Sequence, residues 1–399
     1  MSLQKSLLIY ANLERKVVKM MRPIKMAGDE LIFGEGCLSH LETLKKERAV
    51  IITSGSIFRE NGVMDKVTAH LDKVNIKWKI FEDVEPDPHF ETVIKGAKLM
   101  QEFCPDVIIA LGGGSAMDAA KGMWIYYEHP ELKNLSDIEV SENFPRLRNK
   151  AIMVCIPTTA GTASEVSRSI VISDEKGVKH GIGNMEMMPD IAICDPVVTL
   201  SMPKKITAET GMDALTHALE ALVSKRAHFL SDILAKSAIK DIIEFLPKAF
   251  EEGQNILYRE KMLNASTIAG IAFTNVSLGI IHSMAHTLGS YFKIPHGLCN
   301  AILLPYIVKF NMKEDYAKKI YKNMAKELSG EDMVEIIKDL NEKVQIPKSI
   351  SEIIEDRELY MSRLCEMAEM AKKDGCTKTN PIIPTIEEFK ELFIEVYGG

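Results

Sequence analysis

Asp213 and His217 stand four residues apart in Gly211-Met212-Asp213-Ala214-Leu215-Thr216-His217-Ala218-Leu219-Glu220. His282 and His286 repeat that spacing in His282-Ser283-Met284-Ala285-His286-Thr287-Leu288-Gly289. Residues i and i+4 share one face of a helix, so each pair predicts two donors aimed the same way. His296 follows in Pro295-His296-Gly297, read as a loop. Two helical pairs and one loop histidine can surround a single divalent cation. Carboxylate and imidazole donors together suit Zn²⁺ or Fe²⁺ better than Ca²⁺ or Mg²⁺. A mononuclear centre of that kind acts as a Lewis acid on a carbonyl or alcohol oxygen. The competing reading is that a histidine on an apolar helix face is a satisfied core residue. Against it, three of the ten histidines fall between 282 and 296.

Such a centre needs a rigid frame, and the second half of the chain reads as helical. Residues 208–224, 230–246, 259–273 and 283–292 carry helical patterns, with Pro203 and Pro247 as punctuation. The first half alternates instead. Runs at 48–53, 76–81, 106–111, 151–156 and 191–194 predict strands, with helices between them at 91–103 and 116–127. Strands alternating with helices imply a parallel sheet. The expectation is an α/β domain over 1–200, its residues 1–25 an extension, followed by an all-helical domain over 201–399. Residues 130–150 are polar and irregular, which predicts a surface loop with a short helix.

Gly112-Gly113-Gly114-Ser115 closes one strand and opens a helix at Ala116-Met117-Asp118. Glycines let the backbone approach a ligand, and a helix N-terminus offers free N–H groups to a phosphate. A bare glycine triplet can equally be a tight turn. A second loop, Pro157-Thr158-Thr159-Ala160-Gly161-Thr162-Ala163-Ser164-Glu165, is lined with hydroxyls. Its other reading is a helix start capped by Thr162 or Ser164. The usual dinucleotide fingerprint, Gly-x-Gly-x-x-Gly after the first strand, is absent. Any residue reading a ribose must come from the earlier turn, Thr53-Ser54-Gly55-Ser56.

Together these segments resemble the iron-dependent (group III) alcohol dehydrogenase family, over nearly the whole chain from about Met26 to Tyr397. Within it, Tyr126-Tyr127-Glu128-His129-Pro130 is similar to the butanol dehydrogenases and to the alcohol dehydrogenase half of bifunctional aldehyde-alcohol dehydrogenases. The resemblance implies a dehydroquinate synthase-like architecture: a dinucleotide-binding α/β domain and a helical, metal-binding, catalytic one. It implies that Asp213, His217, His282 and His296 hold Fe²⁺, or Zn²⁺ in some members, and that His286 is a proton-relay group. Gly112, Gly113, Gly114, Ser115, Asp118, Thr158, Thr159 and Thr162 would bind the cofactor with Ser54 and Gly55. Ser169, Phe273 and Cys376 would line the substrate pocket. Arg168, beside Ser169, would favour a carboxylate-bearing aldehyde if it faced inward; facing outward, the favoured reading, it is only a surface charge. NAD-specific relatives place an Asp at the position of Ser54, where it would repel a 2′-phosphate; Ser54, with Arg59 behind it, implies NADPH in preference to NADH. The implied activity interconverts butanol-like primary alcohols and aldehydes by hydride transfer. A polyol (glycerol or propanediol) dehydrogenase is the alternative within the class. A dehydroquinate synthase-like lyase would need a basic cluster, and 282–296 offers only Lys293. A silent scaffold is argued against by four intact ligand positions.

Composition removes other classes. The 399 residues carry 49 basic and 56 acidic side chains, a net charge of −7. No basic tract stands out, which disfavours nucleic acid and anionic membrane as partners. No apolar run approaches the ~20 residues that span a bilayer. Seven widely spaced cysteines without a Cys-x-x-Cys read as reduced thiols of a cytoplasmic protein. The resemblance suggests a homodimer.

Overall fold

The computed structural model describes residues 24–139, 144–175, 177–328 and 332–398. Most of the 1–25 extension, and four residues of the 130–150 loop, lie outside that description. What is described of the loop includes the short helix Ser136–Glu139.

The described residues form eight strands: β1 (Glu30–Phe33), β2 (Arg48–Ile52), β3 (Lys77–Phe81), β4 (Val107–Gly112), β5 (Ile152–Pro157), β6 (Ser169–Ser173), β7 (Lys179–Gly183) and β8 (Ile191–Cys194). Six make one sheet in the order β1-β8-β5-β4-β2-β3, every pairing parallel. β4 lies at its centre and all six of its residues are buried, as a continuous Val/Ile/Ala/Leu run covered on both faces requires. Two elements escaped the sequence reading. β1 is short and half exposed, with Phe33 65 % exposed. β6 and β7 form an antiparallel hairpin outside the sheet, Ser169 opposite Gly183.

The connections decide where a ligand can sit. After β2 runs α1 (Val63–Lys73); after β3, α2 (Phe90–Phe103); after β4, α3 (Gly114–Glu128). Val63, Met64 and Val67 of α1 join the core on one face of the sheet. Met117, Met123 and Trp124 of α3 join the core on the other. The neighbours β2 and β4 therefore send their helices to opposite sides, and their carboxyl ends part to leave a crevice. The turns at Ser54-Gly55 and at Gly112–Ser115 border it.

The remainder is helical: α4 (Lys204–Val223), α5 (Phe229–Glu251), α6 (Ile256–Val276), α7 (Ile280–Phe292) and α8 (His296–Asn311), then shorter helices to Tyr397. Two expectations fail here. Pro247 lies inside α5, near its end, instead of terminating it. His296 is the first residue of α8, not part of a loop, with Pro295 as N-cap. The helix starts there because a fixed-φ proline suits a helix entry. One continuous apolar core joins these helices to Ala160, Ala163 and Val166 of the Thr-rich loop and to Ala192 and Cys194 of β8. No single helix among the described residues is long and apolar enough to cross a membrane.

Candidate active site

α4 runs for five turns through the helical core, and its residues from Gly211 to Val223 are all buried. Asp213, His217 and Glu220 lie along it at i, i+4 and i+7, which sets them on one face. α7 starts where the backbone turns back from α6, with Ser277 at φ 66°. That start depends on Gly279. A Cβ there would lie 2.6 Å from Asn380 Oδ1 and 2.8 Å from Glu220 Oε1. The close approach lets the Glu220 carboxylate accept Gly279 N–H and Ile281 N–H, each at 2.8 Å, and cap α7. The same carboxylate accepts His282 Nδ1–H at 2.6 Å. His282 Nε2 is thereby left as the lone-pair nitrogen.

Asp213 Oδ1 is the meeting point. His217 Nε2 and His282 Nε2 lie 3.8 Å from it, and His296 Nε2 lies 3.7 Å away. These four donors come from three helices. His217 Nδ1 donates to the Gly161 carbonyl at 3.2 Å, which fixes its tautomer as well. Phe273 stacks on the His217 ring, centroids 4.4 Å apart. Burial depresses the His282 imidazole well below its ordinary value. It also pushes His296 down to about 3, although 36 % of that side chain is exposed. Burial alone would raise the Asp213 carboxyl; the three imidazoles and Asn300 outweigh it and hold Asp213 below the usual carboxylate range. The result is an anionic oxygen facing three imidazole nitrogens.

Asn300, one turn after His296, turns its Nδ2 to Asp213 Oδ1 at 2.7 Å and approaches His296 and His282 Nε2 at 3.1 and 3.3 Å. Its Oδ1 is buried without a hydrogen-bond partner. An orphaned oxygen beside one carboxylate and three imidazoles fits a resident divalent cation. The all-N/O donor set, with both tautomer-fixing partners in place, suits Fe²⁺ or Zn²⁺.

His286, the fifth residue, is differently placed. Its Nδ1 bonds Asp374 Oδ2 at 2.8 Å, and its ring stacks on His296 at 5.3 Å. Asp374 also accepts Cys376 N–H at 2.7 Å. Burial would raise the Asp374 carboxyl, but His286 and Cys376 bring it far below the ordinary range.

The sequence reading missed Glu220, Asn300 and Asp374. Glu220 was findable, since it continues the 213–217 spacing by one turn. Asn300 was hidden by reading 295–297 as loop. Asp374 carries no spacing signal, because the fold brings it to α7 from 88 residues away.

The cofactor candidates gather at the crevice. Thr158 N–H donates to Gly112 O at 3.0 Å, joining the two loops. A Cβ on Gly114 would stand 3.0 Å from Thr162 Cγ2, and one on Gly113 would stand 3.2 Å from Thr159 Oγ1. Ser115 is in the first turn of α3. Thr162 Oγ1 accepts Ser164 N–H at 3.4 Å, so the hydroxyl caps only the 3-10 turn Ser164–Val166 and no long helix starts there. Both oxygens of Asp118 are engaged by this chain, with Ser164 Oγ and Val171 N–H. Lys121, wholly buried, holds the same strap through Ser164, Ser167 and Ser169. Asp118 thus ties the hairpin to α3. Ser54 pairs with Asp83, and Arg59 is held by Glu82 at 2.7 Å. Ser169 opens β6, and its carbonyl accepts from Lys121 Nζ at 3.2 Å. Arg168, lowered by burial and then by Arg226, has no acidic partner among the described residues.

A switch-point crevice lined by glycine loops, facing a buried carboxylate–imidazole centre, defines a metal-dependent oxidoreductase using a nicotinamide dinucleotide. Residues 29–196 match the iron-containing alcohol dehydrogenase family, and 207–397 match the C-terminal domain of the Fe-containing alcohol dehydrogenase family. The chain belongs to the iron-containing alcohol dehydrogenases. It is 43 % identical over 380 residues to the NADPH-dependent butanol dehydrogenase of Clostridium saccharobutylicum, covering 93 % of this chain and 97 % of that one. It is 38 % identical to the bifunctional aldehyde-alcohol dehydrogenase of Escherichia coli, over 88 % of this chain and 43 % of that one. The iron-containing alcohol dehydrogenase of Thermococcus thioreducens superposes with a TM-score of 0.88 at 34 % identity, over 94 % of this chain and all of that one. A 1,3-propanediol oxidoreductase gives 0.86 at 33 %, with the same coverage.

Proposed function

We propose that the protein reduces short primary aldehydes of the butanal type to alcohols, and reverses that reaction, with NADPH preferred over NADH. The observation that carries this reading is the convergence of three imidazole nitrogens on Asp213 Oδ1. Asp213, His217, His282 and His296 hold the cation, Fe²⁺ or Zn²⁺. When bound, the metal polarises the substrate oxygen and the nicotinamide supplies or accepts hydride at the adjacent carbon. Glu220 and the Gly161 carbonyl keep two imidazoles in the tautomer that presents Nε2. Phe273, stacked on His217, keeps water from that side, with Ser169 and Cys376 completing the pocket wall. His286, its Nδ1–H fixed by Asp374, carries the proton to and from the substrate oxygen on Nε2. Gly112, Gly113, Gly114, Ser115, Thr158, Thr159 and Thr162 receive the pyrophosphate, and Ser54 and Gly55 the adenosine ribose. NADPH preference rests on Ser54 in place of an acid and on the NADPH-dependent relative; Glu82 holds Arg59 near that turn. Seven free cysteines support a cytoplasmic setting, and we take the protein to be a homodimer. The domain boundary belongs near residue 200, between β8 and α4.

A polyol substrate is the second reading, favoured by the likeness to a 1,3-propanediol oxidoreductase. An anaerobic assay of protein reconstituted with Fe²⁺ or Zn²⁺ separates the two. It uses butanal, glyceraldehyde and a carboxylate-bearing aldehyde, each with NADPH and NADH. Metal-dependent NADPH oxidation with butanal is expected. Turnover with NADH alone would refute the cofactor assignment, and silence across the panel despite bound metal would refute the reductase.

A further inference from the structure

Beside the Asp213 group stands a second, chemically different set. His286, Asp374 and Cys376 each place a donor atom within 4.8 Å of the other two. They offer one imidazole nitrogen, one carboxylate oxygen and one thiol sulfur. Asp374 is the N-cap of the 3-10 turn Gly375–Thr379, and Cys376 is in that turn. The carboxylate is already oriented on both oxygens, Oδ2 by His286 Nδ1–H and Oδ1 by Cys376 N–H and Ser283 Oγ. His286 and Asp374 are 22 % and 21 % exposed at their side chains, so an ion from solvent can reach them. None of the three bonds Asp213, and the ring of His286 meets the first group through ring contacts, stacked on His296 and edge-on to His282.

We propose that His286, Asp374 and Cys376 form a second, weaker cation site, selective for borderline-soft divalent ions such as Zn²⁺. Thiolate and imidazole donors favour Zn²⁺ over Mg²⁺ or Ca²⁺, and three protein ligands leave the fourth tetrahedral position to water. Binding is an exchange without redox change. The ion enters, the thiol proton of Cys376 leaves to solvent, and the His286 proton moves from Nδ1 to Nε2, so that a neutral imidazole ligates through Nδ1. Burial, then the Asp374 charge, keeps that thiol protonated in the absence of an ion. Releasing the thiol proton, shifting the His286 tautomer and giving up the His286–Asp374 hydrogen bond make this site weaker than the first, where His217 and His282 already present bare Nε2 atoms. On the reading of His286 as the proton carrier, which this consequence rests on, an occupied second site removes it from proton transfer. Excess Zn²⁺ then inhibits an enzyme already loaded with one ion.

The test is anaerobic titration of the metal-stripped protein with Co²⁺. The expected result is two equivalents bound, the second bringing the near-ultraviolet sulfur-to-cobalt charge-transfer band that the first, all-N/O centre cannot give. Cys376→Ser should abolish that band and the second equivalent while retaining the first. Asp374→Asn should weaken the second equivalent about tenfold or more. Thermal melting of each variant confirms folding. In Asp213→Asn the first equivalent should be lost and the band kept, so a failure of the Asp213 centre is read separately. A single equivalent in the wild type, a second without the band, or a band surviving Cys376→Ser would overturn the proposal. Loss of the band in Asp213→Asn would overturn the independence of the two sites.

Discussion

The two halves of this protein build their sites from opposite materials. In the crevice of the α/β half, the functional surface is backbone: glycines where a Cβ would meet Thr159 or Thr162, and the N-terminus of α3. In the helical half, the surface is side chains: three imidazole nitrogens around Asp213 Oδ1, two of them fixed by partners of their own, the Gly161 carbonyl and Glu220. A backbone site is broken by adding atoms. A side-chain site is broken by removing them, or by removing what orients them.

The sharpest break is at the meeting point. Asp213→Ala should lower bound metal and kcat/KM by more than about 100-fold, beyond the 10–100-fold scale of lost orienting partners; metal analysis beside kinetics checks it. Glu220→Gln comes next. The amide can still accept from His282 but presents one oxygen where three donors now converge. Metal affinity by chelator competition should fall about 10- to 100-fold. Gly114→Val tests the other half. The added branch meets Thr162, so KM for the dinucleotide should rise about tenfold, roughly 1.4 kcal/mol, with metal content unchanged. Equal metal loss in that variant would erase the contrast between the halves.

The smallest effect is in pH. The folded His296 imidazole titrates at about 3 against an ordinary 6.5, so between those values the unfolded chain binds a proton that the native one does not. Stability of the metal-free protein should therefore fall as pH drops below about 6.5. His282, also depressed by burial, adds in the same direction. Glu220, raised by burial to about 7, works the other way between 4.5 and 7, because there the native state holds the extra proton. Other carboxyls raised by burial, Glu165 and Glu209 among them, act with Glu220, so the imidazole part is read as a difference: from pH 7 to pH 5, denaturant melts of the metal-free wild type should lose more stability than those of His296→Ala.

The same contrast explains what could be read in advance. Hydrophobic periodicity marked the central strands and the core helices, since burial on both faces leaves continuous apolar runs. β1 escaped because it is four residues long and half exposed. The β6–β7 hairpin escaped because it packs on α3 outside the sheet and carries Gly181, Gly183 and paired polar residues. The closeness of Asp213 and His217 was legible because a helix converts sequence spacing into shared direction. Asp374 was not, because its closeness to His286 exists only after the helical half has folded back on itself. Pro247 misled because a proline in the last turns of a long, packed helix costs less than losing the Leu246 and Phe250 burial around it.

Several contacts cross between the two materials, and one of them reaches the Asp213 group directly. The Gly161 carbonyl that holds His217 belongs to the loop whose Thr158 and Thr162 border the crevice. Whatever a bound dinucleotide does to that loop is transmitted as a change in how firmly one imidazole is presented, and the cation acts back on the loop by the same bond. Occupancy at one site must then alter affinity at the other by an equal factor in both directions. The bond from His217 to Gly161 thus makes one route by which the strand-end loop and the helix would sense each other's ligand.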